Sequence, residues 1–261
     1  MYSRYVDLEA MYAPTVYMHM QEDINEKMRS ILIDWIVEVH FKFKLATPTL
    51  YLTCNIIDRY CMVEAVTRDK LQLVGVTALL VACKYEEIWP PEVRDCVYIT
   101  DNTYTREQML EMEMAMVRRL RYQLTVPTAW TFLARVLRVA RATETQFQRA
   151  CYYSERMLQE HDMLAFRPSL VAATATYLSR LVDIEDAHAW PPVLEEFCGL
   201  SVDMLMPCAH MMRSFLEAEP VTANHRHLVA AKRKFLQDKF LSVSIEELPQ
   251  LPSPPATGAF S

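Results

Sequence analysis

The chain has 261 residues, 52% of them hydrophobic, and a formal net charge of −6. That much apolar material can bury the core of one large domain or two smaller ones, and the acidic balance speaks against a general nucleic-acid binder, which carries a basic surplus on one face. With only Gly75, Gly199 and Gly258 present, glycine-rich phosphate loops and a G-x-S-x-G nucleophile elbow are both excluded.

Helix formers dominate, and strand-like alternation is scarce. Apolar residues recur at spacings of three and four, which predicts helices over 2–11, 25–43, 49–62, 68–84, 91–98, 105–120, 128–140, 144–160, 168–182, 191–198, 201–217 and 224–236. Breakers punctuate them at Thr47-Pro48, Trp89-Pro90-Pro91, Pro127, Arg167-Pro168, Trp190-Pro191-Pro192, Pro207 and Pro220. Thr105 with Gln108 forms a capping signal. From Ser244 onward the chain is proline-rich and expected to be irregular. The fold class is all-α.

In the helix at 25–43, Met28, Ile31, Leu32, Trp35 and Val39 form one stripe at 100° per residue, with Ile33 and Val37 on the opposite side. A helix apolar on two sides is either a fully buried central helix or leaves one stripe for a partner. Glu38 flanks the first stripe, where it can pair with a cation. In the helix at 68–84, Lys84 closes an otherwise apolar run. It can satisfy its own helix's last carbonyls or pair with Glu113, which stands among Met109, Met112, Met114 and Met116 and needs a partner if half-buried. The adjacent acids Glu86-Glu87 and Glu246-Glu247 read as solvent-facing.

A repeat organises the rest. Leu73-Val74-Gly75-Val76-Thr77-Ala78 recurs as Leu170-Val171-Ala172-Ala173-Thr174-Ala175, and Ile57-Asp58-Arg59-Tyr60 falls on Ser154-Glu155-Arg156-Met157 at the same offset of 97 residues. Trp-Pro-Pro at 89–91 has a counterpart at 190–192. Three matches in order predict a duplicated five-helix unit: 25–126 and 127–218, with 1–24 as an N-terminal helix and linker and 219–261 as a C-terminal helix and tail. The small residues let neighbours approach each central helix closely. Near Leu181 and Ala209, the second unit lacks the charged pair, so the fold itself does not require it.

No enzyme constellation appears, and no catalytic residue or cofactor is expected. Seven cysteines without a C-x-x-C pair, and no leading signal sequence, point to a reducing intracellular setting, cytoplasm and/or nucleus. No apolar stretch is long enough to cross a bilayer. His225 and His227 lack further ligands nearby and read as a solvated pair, so no metal is expected.

The segments Met28-Arg-Ser-Ile-Leu-Ile-Asp-Trp35, Leu71-Gln-Leu-Val-Gly75, Lys84-Tyr-Glu-Glu-Ile-Trp-Pro-Pro-Glu92 and Tyr98-Ile-Thr-Asp-Asn-Thr-Tyr104 closely resemble the cyclins of the mitotic A/B group. The wording at 76–78, 84–87 and 101–104 is nearer the B type. The resemblance runs from about Tyr17 to Pro249, specific in the first unit and diffuse in the second. It implies two tandem five-helix cyclin boxes and a non-catalytic subunit that binds and activates a cyclin-dependent kinase during mitosis. By that resemblance Lys84 and Glu113 hold the backbone of the kinase C-helix, with Tyr85 beside them. Val81, Tyr122 and Leu124 receive an isoleucine from that helix. Met28, Ile31, Leu32, Trp35 and Gln72 dock Arg-x-Leu motifs of substrates or inhibitors, with Glu38 for the arginine. Arg29 and Asp58 form a structural ion pair with Leu73 nearby.

Two departures touch the pocket: Tyr122 stands where phenylalanine is common, and Val81 is smaller than the usual leucine. A destruction signal belongs to an amino-terminal extension in that family; Arg29-x-x-Leu32 and Arg167-x-x-Leu170 fit its shortest pattern but fall in or beside predicted helices. Ser253-Pro254 is a candidate proline-directed phosphorylation site. The rival readings are a cyclin of a transcriptional kinase and a DNA-binding initiation factor with two cyclin-like repeats. The latter calls for a basic face and a zinc ribbon, which this acidic chain lacks; nucleic acid and membrane are not expected partners.

Overall fold

The computed structural model describes residues 2–184, 186–218 and 228–251, and no strand occurs among them. The first unit contains α2 (Glu26–Lys42), α3 (Thr47–Cys61), α4 (Leu71–Glu86), α5 (Val93–Ile99) and α6 (Arg106–Arg119). The second contains α7 (Ala129–Val139), α8 (Glu144–Met157), α9 (Pro168–Leu181), the short α10 (Asp186–Ala189), α11 (Pro192–Cys198) and α12 (Val202–Glu217). Helix α1 (Tyr2–Tyr12) precedes them and α13 (Ala230–Phe235) follows. The repeat is visible in the helix starts: α3 and α8 begin at Thr47 and Glu144, α4 and α9 at Leu71 and Pro168, each pair at the offset read from the sequence.

Local chemistry sets the boundaries. Asn25 accepts the Met28 N–H and caps α2; Thr105 with Gln108, and Thr143 with Gln146, form reciprocal capping boxes on α6 and α8. Thr47-Pro48 does not precede α3 but opens it, since proline at the first turn gives up an N–H that has no partner there anyway. Gly199 ends α11 in the left-handed region at φ +68°, where a glycine carries no Cβ penalty. The helix expected over 224–236 is shorter: 228 and 229 are non-helical and α13 starts at Ala230. Three-residue 3₁₀ turns at Met18–Met20 and Asp238–Phe240 and a longer one at His161–Ala165 escaped periodicity, being too short to show any.

Helices α4 and α9 are the buried axes. From Leu73 to Cys83 every residue of α4 is buried, and α3, α2 and α6 pack around it; α9 is enclosed by α7, α8 and α12. Gly75 has a packing reason: a Cβ there would meet Leu32 Cδ1 at 2.6 Å. Leu73 joins Val76, Leu80, Cys96, Tyr104 and Met109 in a small cluster against which Trp35 of α2 also packs.

Polar groups join the two units. The Arg29 guanidinium, 2% exposed, donates to both Asp58 oxygens at 2.6 and 2.7 Å and to the carbonyls of Leu158 and Gln159. Tyr17 Oη donates to Asp58 at 2.9 Å, and Ser30 donates to the Gln159 carbonyl. The expected ion pair is thus also the seam between units. Glu9 of α1 caps α9 by accepting from Ser169 N and Oγ at 2.9 and 2.5 Å. A second buried ion pair, Lys234 with Glu155 at 2.7 Å, ties α13 to α8. The stretch expected to be irregular from Ser244 instead starts inside a further 3₁₀ turn, Val243–Ile245; residues 246–251 are irregular, yet Leu248 and Leu251 lie on the second core.

Candidate docking surfaces

Lys84 lies in the last turn of α4 and Glu113 midway along α6, two helices in contact. Their side chains meet: Lys84 Nζ donates to Glu113 Oε1 at 2.5 Å, with the lysine 44% and the glutamate 19% exposed. The bond uses one ammonium hydrogen and one carboxylate oxygen, so the pair keeps donor and acceptor capacity for another backbone. Satisfying its own helix's carbonyls does not account for Lys84. Its neighbourhood is apolar and exposed: Tyr85, Ile88, Trp89 and Tyr122 all stand out from the surface. Tyr85 Oη is 2.5 Å from Thr125 Oγ1, which pins the segment after α6 against the end of α4. Arg121 and Tyr122 both adopt positive φ, +52° and +60°. Two consecutive left-handed non-glycine residues cost energy, and such outliers gather at functional sites; here they turn the Tyr122 ring outward.

Val81 differs from its neighbours. At 3% exposure it belongs to the first core, against which the partly buried Leu124 also packs. It can shape the surface from beneath but offers little area to a partner. The acids after Lys84 are not both solvent-facing either. Glu87 Oε1 accepts from Ala46 N and Thr49 Oγ1 and so caps α3, while Glu246 accepts from Arg149 Nε at 2.6 Å. Adjacency in sequence hides such long-range partners.

A second surface lies on α2. Met28, Ile31, Trp35, Gln72 and Glu38 line a groove of about 370 Å³. The α2 stripe divides: Leu32 and Val39 are buried, Met28 and Trp35 half-buried, Ile31 exposed. Leu32 forms the floor against Gly75. Glu38 has a cation already, Arg233 Nη1 of α13 at 3.3 Å. Arg68 on the groove pairs with Asp23 at 2.9 Å. Sequence reading missed Asp34, Arg233 and Leu228 here, because nothing local announces that the chain returns to α2 about two hundred residues later.

Cys96 is buried and its thiol is pushed up to about 12 by burial, so it is poor as a nucleophile. Glu26, His161 and Asp162 bring possible ligand atoms together. His161 Nε2, however, accepts from Tyr17 N, leaving the neutral ring's proton on Nδ1 toward Glu26. The His161 ring then has no lone pair to offer a cation. His225, His227 and Ser253-Pro254 lie outside the described residues. Among the described residues, no helix is long and apolar enough to cross a membrane.

Comparison with known proteins decides the family. Residues 1–125 match the model "Cyclin, N-terminal domain" and residues 127–249 match "Cyclin, C-terminal domain". The G2/mitotic-specific cyclin S13-7 of Glycine max is 43% identical over 82% of this chain and 83% of its own length. The chain belongs to the cyclin family. Its relatives are of the B or G2/mitotic type: Cyclin-B1-2 of Arabidopsis thaliana is 45% identical over 81% of this cyclin and 47% of that protein. The chain therefore spans about half the length of such relatives. Among solved structures, a viral cyclin from herpesvirus saimiri superposes with TM-score 0.73 at 17% identity, over 82% of this cyclin and 96% of that chain. A chain of the CAK complex of Chaetomium thermophilum gives TM-score 0.52 at 14% identity, over 82% and 72% of the two chains. Both support the two-box all-helical fold.

Proposed function

We propose that this cyclin is the non-catalytic, activating subunit of a cyclin-dependent Ser/Thr kinase acting in mitosis, within the cytoplasm and/or nucleus. The observation that carries the reading is the preformed, solvent-reaching Lys84–Glu113 pair on an apolar platform. The second box has Leu181 and the buried Ala209 near those positions, so the pair is not a requirement of the fold. We further propose that the boxes divide at 126/127, with 1–24 and 219–261 flanking them.

A kinase transfers phosphate only when its lysine pairs with a glutamate on the C-helix. A rigid surface that binds only the inward C-helix shifts the kinase population toward that state. Turning a mostly inactive population into a mostly active one needs about 5 kcal/mol of differential binding. Lys84 and Glu113 supply hydrogen bonds to charged groups of about 1.5–3 kcal/mol each, and the apolar contribution of Tyr85, Tyr122 and Leu124, with Val81 beneath, supplies the remainder. The α2 groove, with Met28, Ile31, Leu32, Trp35, Gln72 and Glu38, docks Arg-x-Leu segments of substrates or inhibitors. Arg29 and Asp58 hold α2 in place.

The test adds the purified cyclin to a monomeric cyclin-dependent kinase and follows phosphorylation of a short peptide. The wild-type chain activates, whereas Lys84→Ala with Glu113→Ala does not, although it remains folded. Equal activation by both proteins rules this reading out.

A further inference from the structure

Two carboxylates line the α2 groove, and they differ in their commitments. Asp34 is buried and accepts from Gln159 Nε2 at 2.6 Å and from Ala230 N at 2.8 Å. Glu38, at the rim, accepts from Arg233 at 3.3 Å. The segment that supplies this arginine is anchored on both sides. Ahead of it, Leu228 is 5% exposed and forms part of the groove wall, and Ala230 is held by Asp34. Just after it, Lys234 is locked into its buried pair with Glu155. Arg233 itself is 68% exposed, and its guanidinium makes one ion-pair contact among the described residues, to Glu38. The backbone is fixed while the guanidinium is exchangeable.

We propose that Arg233 and Leu228 determine the specificity of the docking groove: the cyclin's own C-terminal segment sets a leucine into the groove wall and an arginine on its acid, so an incoming Arg-x-Leu peptide has to displace Arg233 from Glu38. This rests on reading the groove as the docking site. The occupant is a peptide carrying an arginine two positions before a leucine, matched to the groove by one acid and one apolar surface. A peptide arginine can take Glu38 bidentately, which the single Arg233 contact does not. Because the resident ion pair is exposed, it is weak and displaceable. Its effect is to raise the threshold for docking, so that peptides lacking the arginine gain nothing from its removal.

The experiment measures binding of labelled Arg-x-Leu and Ala-x-Leu octapeptides to the full chain at low salt. Arg233→Ala is expected to tighten the Arg-x-Leu peptide about two- to fivefold and to leave the Ala-x-Leu peptide unchanged. Glu38→Ala is expected to erase the difference between the two peptides whether or not Arg233 is present. The gain shrinks at high salt as the pair is screened. Unchanged or weaker binding of the Arg-x-Leu peptide by Arg233→Ala overturns the inference. Failure of the underlying reading looks different: Met28→Ala with Trp35→Ala then leaves wild-type peptide binding intact, or the wild type binds neither peptide.

Discussion

Replacing Asp58 by alanine should cost more than removing both members of its ion pair. Asp58 accepts from Arg29 Nε at 2.6 Å, Arg29 Nη2 at 2.7 Å and Tyr17 Oη at 2.9 Å. Burial by itself lowers the proton affinity of Arg29, but the adjacent carboxylate more than offsets this and keeps it raised, so the guanidinium stays charged in the interior. Without Asp58, the acceptors left to that charge among the described residues are the carbonyls of Leu158 and Gln159. Breaking a buried pair in this way costs about 3–5 kcal/mol, whereas replacing both partners by apolar groups is often near neutral. Here the double variant Arg29→Met with Asp58→Ala also strips Tyr17 Oη and the Leu158 carbonyl of these partners, at about 1 kcal/mol each, while Ser30 still donates to the Gln159 carbonyl. It should still be more stable than Asp58→Ala alone. Urea unfolding followed by circular dichroism reads the difference: with a slope of about 3 kcal/mol per molar, Asp58→Ala shifts the midpoint down by more than about 1 M. A loss below about 1 kcal/mol, or a double variant as costly as the sum of the single ones, refutes the account of a charged seam.

His161 and His40 both have pKa values lowered from 6.5, chiefly by burial. The native state therefore takes up protons less readily than the unfolded chain, and stability falls as pH drops below about 6.5 toward the lowered native values. Stability measured from pH 7.5 to 5.5 should show this slope, and His161→Gln should flatten it; an unaltered slope points to other groups. Glu9→Ala leaves Ser169 N without its acceptor, a loss of about 1–3 kcal/mol. It should release α1, seen as faster protease cleavage between residues 12 and 18 with the boxes still intact. Gly75→Ala gains about 1 kcal/mol of helix propensity but pushes Leu32 out of contact at 2.6 Å, an overpacking cost of about 1–3 kcal/mol. The net change is small, but the groove floor moves, so Arg-x-Leu binding weakens while activation on a short peptide is kept.

The sequence carried much of the fold in its periodicity. Leu73–Cys83 reads as a continuous apolar run because α4 is enclosed on every side, and its echo at 170–175 placed the second axis. The Lys84–Glu113 contact was legible for a simple reason: a lysine ending an apolar helix and a glutamate among methionines each lack a local partner. Groups satisfied at long range were not legible. Glu87 and Glu246 looked solvent-facing until Ala46, Thr49 and Arg149 appeared beside them. Arg233 reaches Glu38 across 195 positions, and no helical spacing records such a return. The mixed fate of the α2 stripe was also beyond periodicity, which counts faces but does not know that the absent side chain of Gly75 draws Leu32 inward.

The central claim is that a rigid helical platform holds a mobile element of a kinase through Lys84 and Glu113. Calorimetric titration of a monomeric cyclin-dependent kinase into this cyclin, and into Lys84→Ala with Glu113→Ala, tests it most directly. Loss of two charged-group hydrogen bonds at about 1.5–3 kcal/mol each predicts binding weakened by about a hundredfold or more, with the circular dichroism spectrum unchanged. Wild-type affinity in the folded double variant contradicts it.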